Sequence, residues 1–289
     1  MNRTDLRRVL WFAALLLGSF ATQAKTPVVP DPDAPKPIRA SKIVLIGDST
    51  AAVQSGWGGA FCAEHVASSG ACVNLARGGR SSGSYIAEGS WELALAELRT
   101  PGFVNTWVVI QFGHNDQPGK PGRSTDLATE FPANLRRYVN EARAAGAKPV
   151  LVTPLTRRMF KDGVLLDTLE PWAEATRRVA AELHVPLVDL HAQSVAAIQA
   201  MGPTEANTLA QLPPSAEVAA AAAKGTTVPA STGVTSTEVN DSRPVEGMAR
   251  TKLSFDYTHL GAHGADYFAK MMAASLAVSV PEMGPLLIP

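Results

Sequence analysis

The chain has 289 residues, 26 basic and 26 acidic side chains, 46% hydrophobic residues and 18% charged ones. That is enough apolar material to bury a substantial core, which argues against overall disorder, and a formal charge of zero leaves no electrostatic footprint for nucleic acid. Two cysteines are too few for a disulfide scaffold or a four-thiolate zinc site.

Arg3, Arg7 and Arg8 precede an apolar run from Val9 to Phe20, which is followed by Ala-Thr-Gln-Ala at 21–24. The order of charge, apolar run and small residues is that of a secretory signal, and the run is shorter than the ~20 residues that span a bilayer. We therefore expect residues 1–24 to be cleaved after Ala24, an uncleaved anchor helix being the alternative. The mature chain would be secreted or periplasmic, with 23 basic and 25 acidic groups once Arg3, Arg7, Arg8 and Asp5 are removed. Residues 25–40 hold five prolines and read as an extended leader.

Short continuous apolar runs then recur at Lys42–Ile46, Ala71–Leu75, Trp107–Phe112, Pro149–Val152 and Pro186–Leu190. Runs of this kind suit strands buried on both faces. Helical patterns lie between them at Gly58–Ala67, Trp91–Leu98, Leu127–Ala145 and Trp172–Leu183, with a final one at Ala262–Val278. The alternation predicts βαβ units, an α/β fold and a doubly wound parallel sheet within one domain at 41–280. Residues 202–250, rich in Ala, Thr, Pro, Ser and Gly, read as a surface insertion, either disordered or a lid. Cys62 and Cys72 are either bridged or two small buried thiols.

Ligands of a parallel sheet gather at the carboxyl ends of its strands. The residues there are Gly47-Asp48-Ser49-Thr50, Arg77-Gly78-Gly79-Arg80-Ser81-Ser82 and Gly113-His114-Asn115-Asp116, and Asp256-Tyr257-Thr258-His259 precedes the last helix. Together they supply an acyl-transfer site. Ser49 is the candidate nucleophile, and a serine needs a base within hydrogen-bond reach. His259 supplies it, oriented by Asp256. The backbone N–H groups of Ser49 and Gly79 and the side-chain amide of Asn115 are the candidate oxyanion donors. Taken singly each piece has a structural explanation, such as a turn, a helix cap or a surface pair. Their joint placement at strand ends does not. His263, one helical turn beyond His259, is the rival general base.

These blocks, with Ile86-Ala87-Glu88-Gly89, resemble the SGNH (GDSL-type) hydrolases, whose name lists the residue types found here at Ser49, Gly79, Asn115 and His259. The resemblance covers about residues 42–275 and is strongest to rhamnogalacturonan acetylesterases. It implies a flavodoxin-like three-layer α/β/α sandwich around a five-stranded parallel sheet, no cofactor, and hydrolysis of acetyl esters on pectic rhamnogalacturonan. The insertion at 202–250 departs from the compact family pattern and bears on the shape of the polymer groove.

Arg80, Lys120, Arg157 and Arg158 follow strand ends, where cationic groups would attract a polyuronate. Trp57 and Trp91 are candidates for stacking on sugar rings, or core residues. His114 is a candidate site-lining residue, His65 and His184 read as structural, and His191 either starts a helix or approaches the site. No histidine spacing gives a metal motif, so no metal is expected. The expected partner is an acetylated polysaccharide, with neither nucleic acid nor, after signal cleavage, membrane. Competing readings are an esterase for xylan, another exopolysaccharide or a lipid ester, and a non-catalytic polysaccharide-binding protein on a hydrolase fold.

Overall fold

The computed structural model describes residues 39–229 and 253–289. The expected signal segment, most of the Pro-rich leader and the insertion from 230 to its end at 250 lie outside the described residues.

The apolar runs form β1 (Ser41–Gly47), β2 (Gly70–Asn74), β3 (Thr106–Gln111) and β4 (Lys148–Val152). A small antiparallel hairpin follows, β5 (Phe160–Lys161) with β6 (Val164–Leu165), and then β7 (Leu187–Val188). The main sheet is parallel throughout, in the order β2-β1-β3-β4-β7. That is the order of a flavodoxin-like doubly wound sheet, whose direction of winding switches at β1.

Side chains alternate along the strands, so each face has its own core. Ile43, Leu45, Trp107, Val109, Val150 and Val152 pack against α1 (Gly58–Glu64), α6 (Leu190–Ala206) and α8 (Ala262–Ser279), through Phe61, Ile198, Phe268 and Met272. Val44, Ile46, Val108, Ile110 and Leu151 face the other way. They meet α2 (Ser82–Ala87), α3 (Ser90–Leu98), α4 (Glu130–Ala144) and α5 (Glu170–Leu183), through Tyr85, Trp91, Tyr138 and Val179. Burying each such side chain contributes roughly 1.5–3 kcal/mol. The fold is thus a three-layer α/β/α sandwich. Cys62 of α1 and Cys72 of β2 are joined by a disulfide, with their Cα atoms 5.3 Å apart.

The fifth strand is shorter than its apolar run because the Asp189 side chain accepts the Ala192 N–H and caps α6, so Leu190 begins a helix. The described part of the insertion is structured. The helix carries on past a break at Gly202 (φ 71°), and α7 (Ala216–Ala222) follows, capped by Ser215. Ala206, Leu209, Val218 and Ala222 of this stretch are buried. Exposed alanines such as Ala219 and Ala220 separate these buried positions, so the stretch shows little apolar periodicity. The chain beyond 280 is also packed: Met283 is buried and the Ile288 N–H donates to the His65 carbonyl. Among the described residues no helix is long and apolar enough to cross a membrane.

Candidate active site

Ser49 follows β1, at the edge where winding switches. The turn that holds it is built from its neighbours. The Asp48 carboxylate accepts the Thr50 N–H at 2.8 Å and the Thr50 hydroxyl at 2.7 Å, and the Ser55 hydroxyl donates to the Ser49 carbonyl at 2.7 Å. Gln111, at the end of β3, donates to the Thr50 hydroxyl at 2.6 Å and accepts the Trp57 indole N–H at 2.8 Å. Gly47 admits this neighbour: a Cβ there would lie 2.5 Å from the Gln111 carbonyl oxygen.

His259 enters on the loop before α8. Its Nε2 lies 2.9 Å from Ser49 Oγ and its Nδ1 2.7 Å from Asp256 Oδ2. The other Asp256 oxygen accepts the Thr258 and His259 N–H groups, each at 2.7 Å. Burial works to raise the Asp256 carboxyl. The His259 hydrogen bond and charge, with the two backbone donors, overcome it and hold the group down at about 2. His263 is exposed on the first turn of α8, and the imidazole facing Ser49 is that of His259.

The second and third blocks close the other side. Gly79 adopts φ 77°, a left-handed conformation that favours glycine, in the turn before α2. Neither its N–H nor that of Ser49 has an acceptor among the described residues. The Asn115 amide donates to the Arg80 carbonyl at 3.1 Å, which leaves a second N–H on the same nitrogen. Next to it, Asp116 accepts the Ser82 N–H at 3.0 Å, the Ser82 hydroxyl at 2.6 Å and the Thr125 hydroxyl at 2.8 Å, locking the two blocks together. Burial pushes this carboxyl up to about 6 against those bonds.

Beneath the serine lies a second pair. His114 and Asp48 are both buried, with Nδ1 3.5 Å from Oδ2. Burial holds the imidazole below its usual range despite Asp48, with Arg157 and His259 adding to the effect. Burial opposes ionisation of Asp48, yet His114 and Thr50 keep its carboxyl low.

Several expected substrate contacts are located elsewhere. Trp57 and Trp91 are fully buried, Trp91 donating to Glu141 at 2.6 Å, because a large ring between sheet and helix contributes more as core. Arg158 is 1% exposed and donates to loop carbonyls, so it does not meet a polymer. His114 lies under the site and not on its wall. Arg80 is half-buried and held by Glu88 at 2.8 Å and by the Gly78 carbonyl at 2.8 Å. Arg157 stays near the site: its guanidinium donates to Thr168 and feels Asp48 and Asp256. Lys120 lies in the loop after β3, where its N–H donates to Ser124. The contributions of Gln111, Asp116 and Arg123, whose guanidinium lies by the Gly79 carbonyl, were not read from the sequence. A polar Gln closing the apolar run of β3 was the one visible signal.

One group of described residues has metal-ligand chemistry within reach, Asp167, Glu170 and His191, with ligand atoms within 4.8 Å. Hydrogen bonds account for it. His191 spans the Pro154 carbonyl (3.0 Å) and Asp167 (2.9 Å), and Arg177 takes Glu170 at 2.6 Å.

Residues 45–216 match the model of the GDSL-like Lipase/Acylhydrolase family. Two Bacillus subtilis (strain 168) proteins are similar. One, the rhamnogalacturonan acetylesterase RhgT, is 39% identical over 183 residues, 60% of this chain and 74% of its own. The other, the probable rhamnogalacturonan acetylesterase YesY, is 36% identical over 164 residues, 54% of this chain and 73% of its own. Among solved structures, the Bacillus subtilis protein YXIM superposes with a TM-score of 0.59 at 20% identity, covering 84% of this chain and 58% of that one. A catalytic mutant of the acetylxylan esterase Axe2 from Geobacillus stearothermophilus gives 0.50 at 17% identity, covering 83% and 96%. At those identities the structural likeness concerns the fold.

Proposed function

The chain belongs to the GDSL-like lipase/acylhydrolase family, and from that premise we propose that it removes acetyl groups from rhamnogalacturonan with Ser49, His259 and Asp256 as its catalytic residues. It is a carboxylic ester hydrolase. The observation that carries the proposal is the continuous hydrogen-bonded line from Asp256 through His259 to Ser49, at 2.7 and 2.9 Å.

In the proposed reaction His259 Nε2 takes the Ser49 hydroxyl proton as Oγ attacks the acetyl carbonyl carbon. Asp256 holds Nδ1–H, fixing the tautomer and stabilising the imidazolium. The carbonyl π pair moves onto oxygen, and the oxyanion is met by the N–H groups of Ser49 and Gly79 and by the free N–H of Asn115. Collapse expels the sugar oxygen, which takes the proton from His259, leaving acetyl-Ser49. Water, deprotonated by the same imidazole, attacks in turn and releases acetate and free Ser49.

The substrate reading is supported by the rhamnogalacturonan acetylesterase activity for which the two Bacillus relatives are named. Export is proposed from the charged, apolar and small-residue order of 1–24. Acetate release from acetylated rhamnogalacturonan, acetylated xylan and a short lipid ester, measured side by side, tests the substrate. We expect the pectic polymer to give the highest kcat/KM. Preference for xylan or lipid would reject that choice, and no turnover of any ester with retained polymer binding would leave a carbohydrate-binding protein.

A further inference from the structure

The loop carrying Asp256 and His259 must hold two side chains in register with a serine 210 residues away. Inside the loop the N–H groups of Thr258 and His259 turn toward the Asp256 carboxylate. The carbonyls of Asp256, Thr258 and His259 therefore point outward, and they converge on one buried group. Arg158 Nη2 donates to the Asp256 and His259 carbonyls, each at 2.8 Å, and Nη1 to the Thr258 carbonyl at 3.3 Å. The Arg158 backbone N–H takes the Tyr257 carbonyl at 2.9 Å. One residue thus binds all four carbonyls of the loop.

Arg158 is 1% exposed, and among the described residues no carboxylate forms an ion pair with it. Burial lowers its guanidinium to about 10, with Asp256 opposing, so it stays charged at neutral pH. A buried charge without a partner is costly, and substrate attraction cannot account for a group closed to solvent. Its counter-charge is the set of converging carbonyl dipoles, which would repel one another with nothing between them. The planar fork reaches three carbonyls at once, whereas an ammonium is a point charge on a flexible stem.

We propose that Arg158 is the positioning residue of the site, a buried clamp on the carbonyls of the Asp256–His259 loop that holds the His259 imidazole against Ser49. This rests on the catalytic reading of Ser49, His259 and Asp256. If the loop relaxes, the imidazole shifts and kcat falls, whereas substrate binding, which involves other residues, does not change. Misplacement by about 1 Å can cost on the order of 100-fold in rate.

The experiment measures kcat and KM for an acetyl ester in the wild type, R158K and R158A, with S49A and phosphonate labelling of Ser49 as controls on the underlying reading. Expected are a kcat lower by about 100-fold in R158A, a smaller loss in R158K, and a KM within about twofold of wild type. Added guanidinium should restore part of the R158A rate, alkylammonium should restore less, and neither should rescue H259A. The downfield His259 Nδ1–H proton resonance should weaken in both variants. Wild-type kcat in R158A, a raised KM at unchanged kcat, or an unperturbed His259 resonance would overturn the clamp. Should R158A fail to fold, unchanged kcat in folded R158K would do the same. Active S49A or unlabelled wild-type protein would instead reject the catalytic reading itself.

Discussion

Ser49 and His259 stand 210 positions apart in the chain and 2.9 Å apart at Oγ and Nε2. The sheet brings them together. Ser49 lies in the turn after β1, and the loop before α8 is pinned to that turn by the Leu260 N–H on the Ser55 carbonyl at 2.9 Å. Nucleophile and base therefore share one scaffold, which suits a reaction in which both must reach the same carbonyl carbon.

Removing the orienting carboxylate should leave the serine in place with a misdirected imidazole. For D256N we expect kcat to fall on the order of 10,000-fold, with KM little changed. Steady-state kinetics on an acetyl ester checks this, and a fall within tenfold would mean that Asp256 does not direct the imidazole.

Asn115 is proposed to donate to the oxyanion with the N–H that Arg80 leaves free. N115A should lower kcat by about 100- to 1,000-fold. An effect confined to KM would place the amide on the substrate ground state.

The buried Asp48–His114 pair should matter to stability. D48A would strip Thr50 of its acceptor and leave the His114 imidazole without its charged neighbour. Leaving a buried donor without its acceptor costs about 1–3 kcal/mol, read as the shift in a urea unfolding curve. A change below about 1 kcal/mol would fall short of that range.

Two carboxyls should bend the pH–stability curve in opposite directions. Asp116, raised to about 6 from an unfolded 3.8, binds protons more tightly when folded, so stability falls as pH rises from about 4 to 6 and is flat above. Asp256, lowered to about 2, contributes stability above 3.8 that is lost as pH falls toward 2. Urea midpoints against pH should lose the first slope in D116N and the second in D256N. Superimposable curves for the wild type and both variants would contradict this.

The sheet was readable because strands buried on both faces are written as unbroken apolar runs, and Ile43–Ile46 and Val108–Ile110 alternate between two cores with no polar residue between them. The candidate site was readable because Asp48-Ser49, Gly79, Asn115 and Asp256–His259 each occupy a strand end or a pre-helix loop. The partners of those residues were not. Nothing local in Arg158 distinguishes a cation closed over three carbonyls from one that faces solvent. Trp57 reads more readily as core than as a sugar platform, but the choice is open until Gln111 is seen to take its indole N–H. In the described stretch of the insertion, α7 buries Val218 and Ala222 while Ala219 and Ala220 are exposed, so a run of alanines hides which face is core.

A serine-directed phosphonate tests the proposed chemistry most directly. Treated protein should gain one adduct, mapped by peptide mass to Ser49, and lose acetate release in step with labelling, while S49A should neither label nor turn over. An adduct on another residue, or full acetate release by S49A, would contradict it.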